Sequence, residues 1–360
     1  MNYYILHTSF DKIAGIERVL YSNMEYLRSR PDTENIYLLL CSSQTNLALD
    51  LSRFSVHVIF LEMPIYQGMG TVKIGLQHLK IAKFLKKQID LRGKATLIGT
   101  NVLLATCFYL AFGRKKNVKQ IISTEHFSIT EQGKFSSLLR KVFYKYFTVV
   151  TLTEVDLCFI RKAYHPKRLF CIPNAIPFVP RPYVYEETKK TIIALGRFTP
   201  QKGFDLLIQS FASIALRYPD WNLLIVGHDY GDRTMLEALI AENKISNVQL
   251  KSAVSDVNSI YSQAAFYVMS SRFEGFPMVL LEALGFGLPI VSFDCPTGPR
   301  ELVNDTNGIL VENGNIVALA SAMEQLMSDR ELLQLKSKGA EKVAQNYTKE
   351  VINTYWDEII

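Results

Sequence analysis

Short apolar runs recur along the chain, separated by longer stretches whose apolar residues fall at helical spacing. Residues 3–8, 35–41, 55–61, 95–99, 120–123, 149–153 and 169–174 read as buried strands, with helices over 14–28, 72–88 and 136–148 between them and another following 149–153. The segment 102–112 (VLLATCFYLAF) is apolar all round but too short to span a bilayer, so it predicts a core helix. Pro177, Pro180, Pro182 and the polar residues 186–190 then make a stiff linker. A second series follows: strands at 191–195, 221–227, 248–250, 266–270 and 289–293, and helices at 204–217, 257–264, 278–284, 316–327 and 330–344. This alternation predicts an α/β protein with two Rossmann-like, doubly wound parallel-sheet domains.

Composition narrows the class. A chain of 360 residues suffices for two cores, and 48% hydrophobic with 21% charged residues is ordinary for a globular protein. Cys41, Cys107, Cys158, Cys171 and Cys295 are scattered, with no CxxC pair, and read as buried thiols of a reducing compartment. The opening MNYYILHTSF lacks the basic segment of a signal peptide and reads as a first strand, so a cytoplasmic location is expected. Charge is uneven: residues 1–180 hold 24 Lys and Arg against 12 Asp and Glu, and the remainder 16 against 22. A basic first half suggests contact with an anionic surface. Phospholipid and nucleic acid both fit, but no nucleic-acid motif is visible. The helix 136–148 mixes Leu, Phe and Tyr with Arg140, Lys141 and Lys145, which suits either an anionic lipid surface or packing on the sheet. Arg114, Lys115, Lys116 and Lys119 add to that basic character.

The chemistry concentrates in 270–303, SSRFEGFPMVLLEALGFGLPIVSFDCPTGPRELV. Pro277 suits a first helical turn, and Gly285 and Gly287 suit its end. Glu274 precedes this helix and Glu282 lies on it. A helix N-terminus offers N–H groups to hydroxyls or phosphate, and a carboxylate can grip a vicinal diol. By pattern alone, Glu274 reads equally as a helix-start acid and Glu282 as part of a solvated face. A second loop, Gly196-Arg197-Phe-Thr-Pro-Gln-Lys202-Gly203, places two cations before a helix, either a diphosphate clamp or surface charge on a turn. Gly15 between the first strand and helix allows close backbone approach or simply a tight turn. His126, after the polar strand end Ile122-Ser-Thr-Glu125, reads as a site residue or a satisfied structural histidine.

The 270–303 segment closely resembles the signature of retaining GT-B-fold glycosyltransferases of family 4, the group 1 glycosyl transferases: Glu, seven residues, Glu, Ala-Leu, a glycine, Leu-Pro and a strand. Its variant 292–301 resembles a bacterial subset that builds surface polysaccharides and lipid-linked oligosaccharides, whereas many members carry a Gly-Gly-type loop there. The loop 196–203 matches the family's Gly-Arg-x-x-x-x-Lys-Gly motif. Residues 172–176 resemble Ile-Pro-Asn-Gly-Val, with Ala175 in the glycine place. Residues 14–18 resemble Gly-Gly-x-Glu-Arg, with Ala14 in place of the first glycine. The resemblance implies catalytic roles for Glu274, His126, Arg197 and Lys202. It implies donor contacts from Gly15, Asn174, Gly196, Gly227, Val254, Gly275, Phe276, Pro277, Met278 and Glu282, the last holding the nucleotide ribose. Glu125 is carried over beside His126. Residues 1–178 would form the acceptor domain and 179–344 the nucleotide domain, facing each other across a cleft, with a helix in 345–360 returning to the first domain and Trp356 as its anchor.

The expected activity is transfer of a hexose or N-acetylhexosamine from a nucleotide sugar, a uridine diphosphate sugar, to a glycan or lipid-linked acceptor with retention. The enzyme would act without metal or other cofactor, with docking on the inner face of the cell membrane. An epimerase or phosphorylase of the same fold is an alternative, although no cofactor-lysine site of a phosphorylase is visible. So is a non-catalytic two-lobed sugar-binding protein, which would not need paired Glu with an Arg/Lys clamp.

Overall fold

A computed structural model describes residues 1–360 except 13–14, 45, 64–70, 127, 130–132, 183–185, 187–188 and 255, and the side chains of 71 and 72. Ala14 and parts of the linker therefore lie outside the described residues. The chain forms two compact units, Met1–Asn174 with Asn353–Ile360, and Ala175–Ile352.

In the first unit the elements run β1 (Asn2–His7), α1 (Gly15–Ser29), β2 (Asn35–Leu40), β3 (Val56–Phe60), α2 (Thr71–Gln88), β4 (Ala95–Gly99), α3 (Val102–Phe112), β5 (Val118–Glu125), α4 (Lys134–Phe143), β6 (Thr148–Thr151), α5 (Glu154–Ala163) and β7 (Arg168–Cys171). The seven strands are parallel in the order β3-β2-β1-β4-β5-β6-β7. The chain builds outward from β1, then crosses back to β4, so the topological switch lies between β1 and β4. Helix α3 is apolar on nearly every face because it is enclosed; Val102, Leu104, Ala105, Cys107 and Phe108 are fully buried. Asn101 caps it by accepting from Leu104 N–H.

The second unit runs β8 (Thr191–Leu195), α6 (Phe204–Ala215), β9 (Asn222–Gly227), α7 (Arg233–Glu242), β10 (Val248–Ser252), α8 (Asn258–Ser262), β11 (Phe266–Met269), α9 (Met278–Gly285), β12 (Ile290–Asp294), α10 (Pro299–Leu302), β13 (Gly308–Glu312), α11 (Ile316–Ser328) and α12 (Arg330–Ala344). Its six parallel strands follow the order β10-β9-β8-β11-β12-β13, with the switch between β8 and β11. The α/β reading with two doubly wound parallel sheets holds. The reading of all five cysteines as buried does not: Cys41, Cys107 and Cys295 are buried, but Cys158 is exposed on α5 and Cys171 is half-buried at the end of β7. Helix α7 and strand β13 have no counterpart in the sequence reading; β13 is an edge strand with only partly buried side chains, so its apolar signal is weak.

The unit boundaries differ from the expected 178/179 and 345 for a local reason. Ile176 N–H donates to Tyr347 O at 2.8 Å, and Phe178 lies 5.0 Å from Phe286. Residues after Asn174 therefore pack with the second unit. Tyr347 OH donates to Glu301 O at 2.8 Å, so the closing helix α13 (Lys349–Asp357) supplies the first unit only from Asn353 onward. Within that unit Trp356 is buried, Tyr26 OH donates to Asp357 Oδ1 at 2.7 Å, and Gln120 donates to Ile359 O at 2.7 Å.

Candidate active site

The loops after β8 and β11 meet at the switch of the second sheet, at the carboxyl ends of parallel strands. Gly203 makes the meeting possible. Its φ is +62°, and a Cβ there would lie 2.1 Å from Ser270 O. Gly227 lies so close to Gly196 O, and Gly196 so close to the methylenes of Lys202, that the Lys202 stem is held along the loop. The two loops are tied by Ser270 Oγ donating to Lys202 O at 3.0 Å, Gln201 Nε2 to Phe273 O at 3.1 Å, and Arg272 N–H to Gln201 O at 2.8 Å. Arg272 also forks onto Asp205 at 3.0 and 2.7 Å, and this ion pair raises its pKa.

This framework brings Lys202 Nζ to 2.6 Å from Glu274 Oε1, with the two side chains only 14% and 10% exposed. Ser271 Oγ donates to the same oxygen at 2.7 Å. Arg197 stays exposed on the same loop, its guanidinium 5.6 Å from the centre of the Tyr230 ring and 3.4 Å from Gln201 Oε1. The expected clamp residues thus share a loop but face different partners.

Helix α9 begins at Met278, with Pro277 just before it in extended backbone. On its buried face Glu282 Oε2 accepts from Tyr261 OH at 2.8 Å, and Tyr261 stacks on Phe286 at 5.3 Å. The Tyr267 hydroxyl donates to Leu195 O and accepts from Leu195 N–H, both at 3.1 Å. Burial raises its pKa, and the charges of Glu282 and Glu274 add to that. The loop after β12 presses on the same place. Thr297, at φ 60°, donates through Oγ1 to Glu274 O at 2.5 Å, and a Cβ on Gly298 would sit 2.6 Å from Gly275 O. Burial and Glu274 push the Cys295 thiol up to about 12. Phe276 is buried, its ring 6.3 Å from Tyr347. Val254 is half-buried after β10; its neighbour 255 lies outside the described residues.

On the first unit, His126 follows β5 at the carboxyl edge, with Nε2 3.0 Å from Thr124 Oγ1. Burial, with His7 adding, lowers its pKa to about 3, so the ring is neutral at physiological pH. His7, at the end of β1, lies 2.8 Å from Thr100 Oγ1 and 3.4 Å from Glu17 Oε1. Gly15 opens α1 and Asn174 is buried at the end of the unit. Glu125 corrects the sequence reading. Rather than joining His126, it accepts from Arg140 Nη2 at 2.8 Å and from Ser123 Oγ at 2.9 Å, in a pair with both side chains 1% exposed. Arg140 therefore also leaves the basic surface expected of its helix, because an Arg fork with a carboxylate partner can be buried where a lone cation cannot.

The second unit thus offers two cations for an anion, a carboxylate beside one of them, and a second carboxylate with a fixed plane. Among the described residues no group of three or more His, Cys, Asp or Glu is arranged to hold a metal ion. The sequence reading missed Ser271, Thr297, Tyr261, Asp205 and His7. Only Ser271 and Thr297, which flank the motif, carried a local signal.

A family model described as glycosyl transferases group 1 matches residues 177–343. An uncharacterized glycosyltransferase of Haemophilus influenzae is 31% identical over 251 residues, 68% of this chain and 70% of that protein. The amylovoran biosynthesis glycosyltransferase AmsD of Erwinia amylovora is 26% identical over 300 residues, 80% of this chain and 83% of that protein. Among solved structures, Anabaena HepE in complex with UDP and glucose has a TM-score of 0.76 at 16% identity, covering 99% of this chain and 98% of that one.

Proposed function

This chain belongs to the group 1 glycosyltransferases, and we propose that it transfers a hexose or N-acetylhexosamine from a uridine diphosphate sugar to a glycan or lipid-linked acceptor, with retention at the anomeric carbon. The observation that carries the reading is the Lys202–Glu274 pair at 2.6 Å, at the switch of the second sheet, with Arg197 exposed on the same loop. When the bond from the anomeric carbon to the diphosphate breaks, its electron pair stays with phosphate, while an acceptor hydroxyl oxygen bonds to that carbon and its proton leaves with the diphosphate or to water. Lys202, held beforehand by Glu274, and Arg197 on the same loop offset the charge growing on phosphate, and preorganised charge is where catalysis gains most. A bound diphosphate gives Lys202 a second anion, and Glu274 then takes hydrogen bonds from sugar hydroxyls. Glu282 accepts from the ribose diol, its plane held by Tyr261. Gly196, Gly227, Gly275, Phe276, Pro277 and Met278 line the approach to these groups, and Val254 the base. On the first unit, taken by itself, Gly15, Asn174 and the neutral ring of His126 are the candidate residues. The donor class is supported by the UDP and glucose bound to the Anabaena neighbour, and the glycan acceptor by the relative named for amylovoran biosynthesis.

The test is thermal unfolding with a panel of nucleotide sugars and free UDP. A ligand of the folded chain raises the midpoint, by about 2.7 kcal/mol of apparent stability at a hundred times its dissociation constant. UDP and one UDP-sugar should raise it, and Lys202→Ala with Arg197→Ala should remove the effect. A response to guanosine or adenosine diphosphate sugars alone would replace the donor, and no response to any would overturn the reading.

A further inference from the structure

In the first unit, α2, α3 and α4 pack together. Cys107 Sγ donates to His78 O at 3.4 Å, Tyr109 lies 5.6 Å from Phe143, and Gly75 faces the Phe135 ring. The outward faces of α2 and α4 are unusual in the same way. On α4, Lys134, Leu138, Lys141 and Val142 fall at helical spacing and are exposed. On α2, Lys73, Leu76, Leu79, Lys80 and Lys83 do the same. The four apolar side chains Leu76, Leu79, Leu138 and Val142 are 44–56% exposed. Exposed lysines accompany them on each helix, with Lys145 just beyond α4 and Arg114 beyond α3. Neither the segment 71–88, nor 102–119, nor 133–146 contains an Asp or Glu. Surface helices ordinarily intersperse both signs of charge.

We infer that this α2–α4 face docks on a bilayer surface bearing anionic headgroups, with Leu76, Leu79, Leu138 and Val142 entering the headgroup boundary. Charge complementarity argues for that occupant. Flexible lysines beside aliphatic side chains keep their ammonium groups among lipid phosphates while their stems follow the apolar residues downward. A folded protein partner would instead need acids placed to match each lysine. The inward turn of Arg140 leaves this reading intact, since the lysines stay on the surface. The inference deepens the acceptor reading above, because docking would bring the enzyme to a lipid-linked acceptor. It stands separately, because the test needs no turnover.

The full chain is sedimented with phosphatidylcholine vesicles, with and without phosphatidylglycerol. Binding should require phosphatidylglycerol and weaken with salt. Lys80→Glu and Lys141→Glu should each lower it about fivefold or more, and the Leu76→Ser/Leu138→Ser pair about tenfold or more. Lys338→Glu, on the second unit, should change little. Circular dichroism confirms that each variant is folded. No binding at low salt, equal binding to neutral vesicles, or unchanged binding by both sets of variants would overturn the inference. So would a self-association seen by light scattering that the same substitutions abolish, which would make a second copy the occupant.

Discussion

Removing Lys202 tests both the stability and the chemistry of the second unit. In Lys202→Ala, Glu274 loses the ammonium 2.6 Å from Oε1 and keeps the Ser271 hydroxyl at 2.7 Å on that oxygen. Breaking a buried ion pair costs about 3–5 kcal/mol. This pair is still one-tenth open to solvent, and one hydrogen bond survives, so the expected cost is about 2–3 kcal/mol. Glu274→Gln on that background removes the stranded charge and should recover about 1 kcal/mol or more. Two tryptophans make the measurement clean: Trp221 lies in the core of the second unit and Trp356 in the first. In a Trp356→Phe background, Trp221 fluorescence during urea unfolding reports the second unit, where 2–3 kcal/mol moves the midpoint by about 1 M. A cost under about 1 kcal/mol, the value of an exposed pair, would refute the reasoning. So would a double variant less stable than Lys202→Ala alone.

Three further outcomes are expected. Glu282→Gln should weaken UDP binding about tenfold or more in titration calorimetry, as for loss of a charged acceptor; unchanged affinity would remove Glu282 from the ribose site. Burial and His7 hold His126 at about 3 against an ordinary 6.5, so on acidification the unfolded chain takes up a proton that the folded chain refuses. Stability should therefore fall between pH 6.5 and 3, His126 contributing up to about 1.4 kcal/mol per pH unit, and His126→Gln should flatten that part of the profile; an identical profile would show that the ring titrates normally. Finally, an α-linked donor should give an α-linked product by proton NMR in the presence of excess chelator, whereas a β-linked product, or activity restored only by a divalent metal, would contradict the retaining, metal-free reading.

Much of the fold was legible because its signal is local. The runs that became β1, β2, β4 and β8 are mostly apolar, with polar residues few and largely at their ends, as suits parallel strands covered on both faces. Edge strand β13 broadcasts less, since solvent reaches much of it. The unit boundaries were less legible for a different reason. Prolines at 177, 180 and 182 mark where the chain stiffens, but Ile176 and Phe178 are assigned by what they touch, Tyr347 and Phe286. A linker's composition does not reveal which side its first residues pack on.

The site divides the same way. Glu274, Lys202 and Arg197 stand out because residue type and spacing mark them, yet the Lys202–Glu274 contact joins residues 72 positions apart and depends on Gly203 letting two loops touch. Helix α4 shows what pattern alone gets wrong. Arg140 and Lys141 are adjacent and equally basic, so charge counting treats them alike. The structure turns Arg140 inward, because Glu125 accepts from its Nη2 and the Tyr144 hydroxyl from its Nε, and leaves Lys141 outside. The positive charge that remains on α2 and α4 is therefore carried by lysine, beside exposed leucines, on segments with no acid to oppose it. Position, rather than net charge, is what makes that face a candidate for an anionic surface.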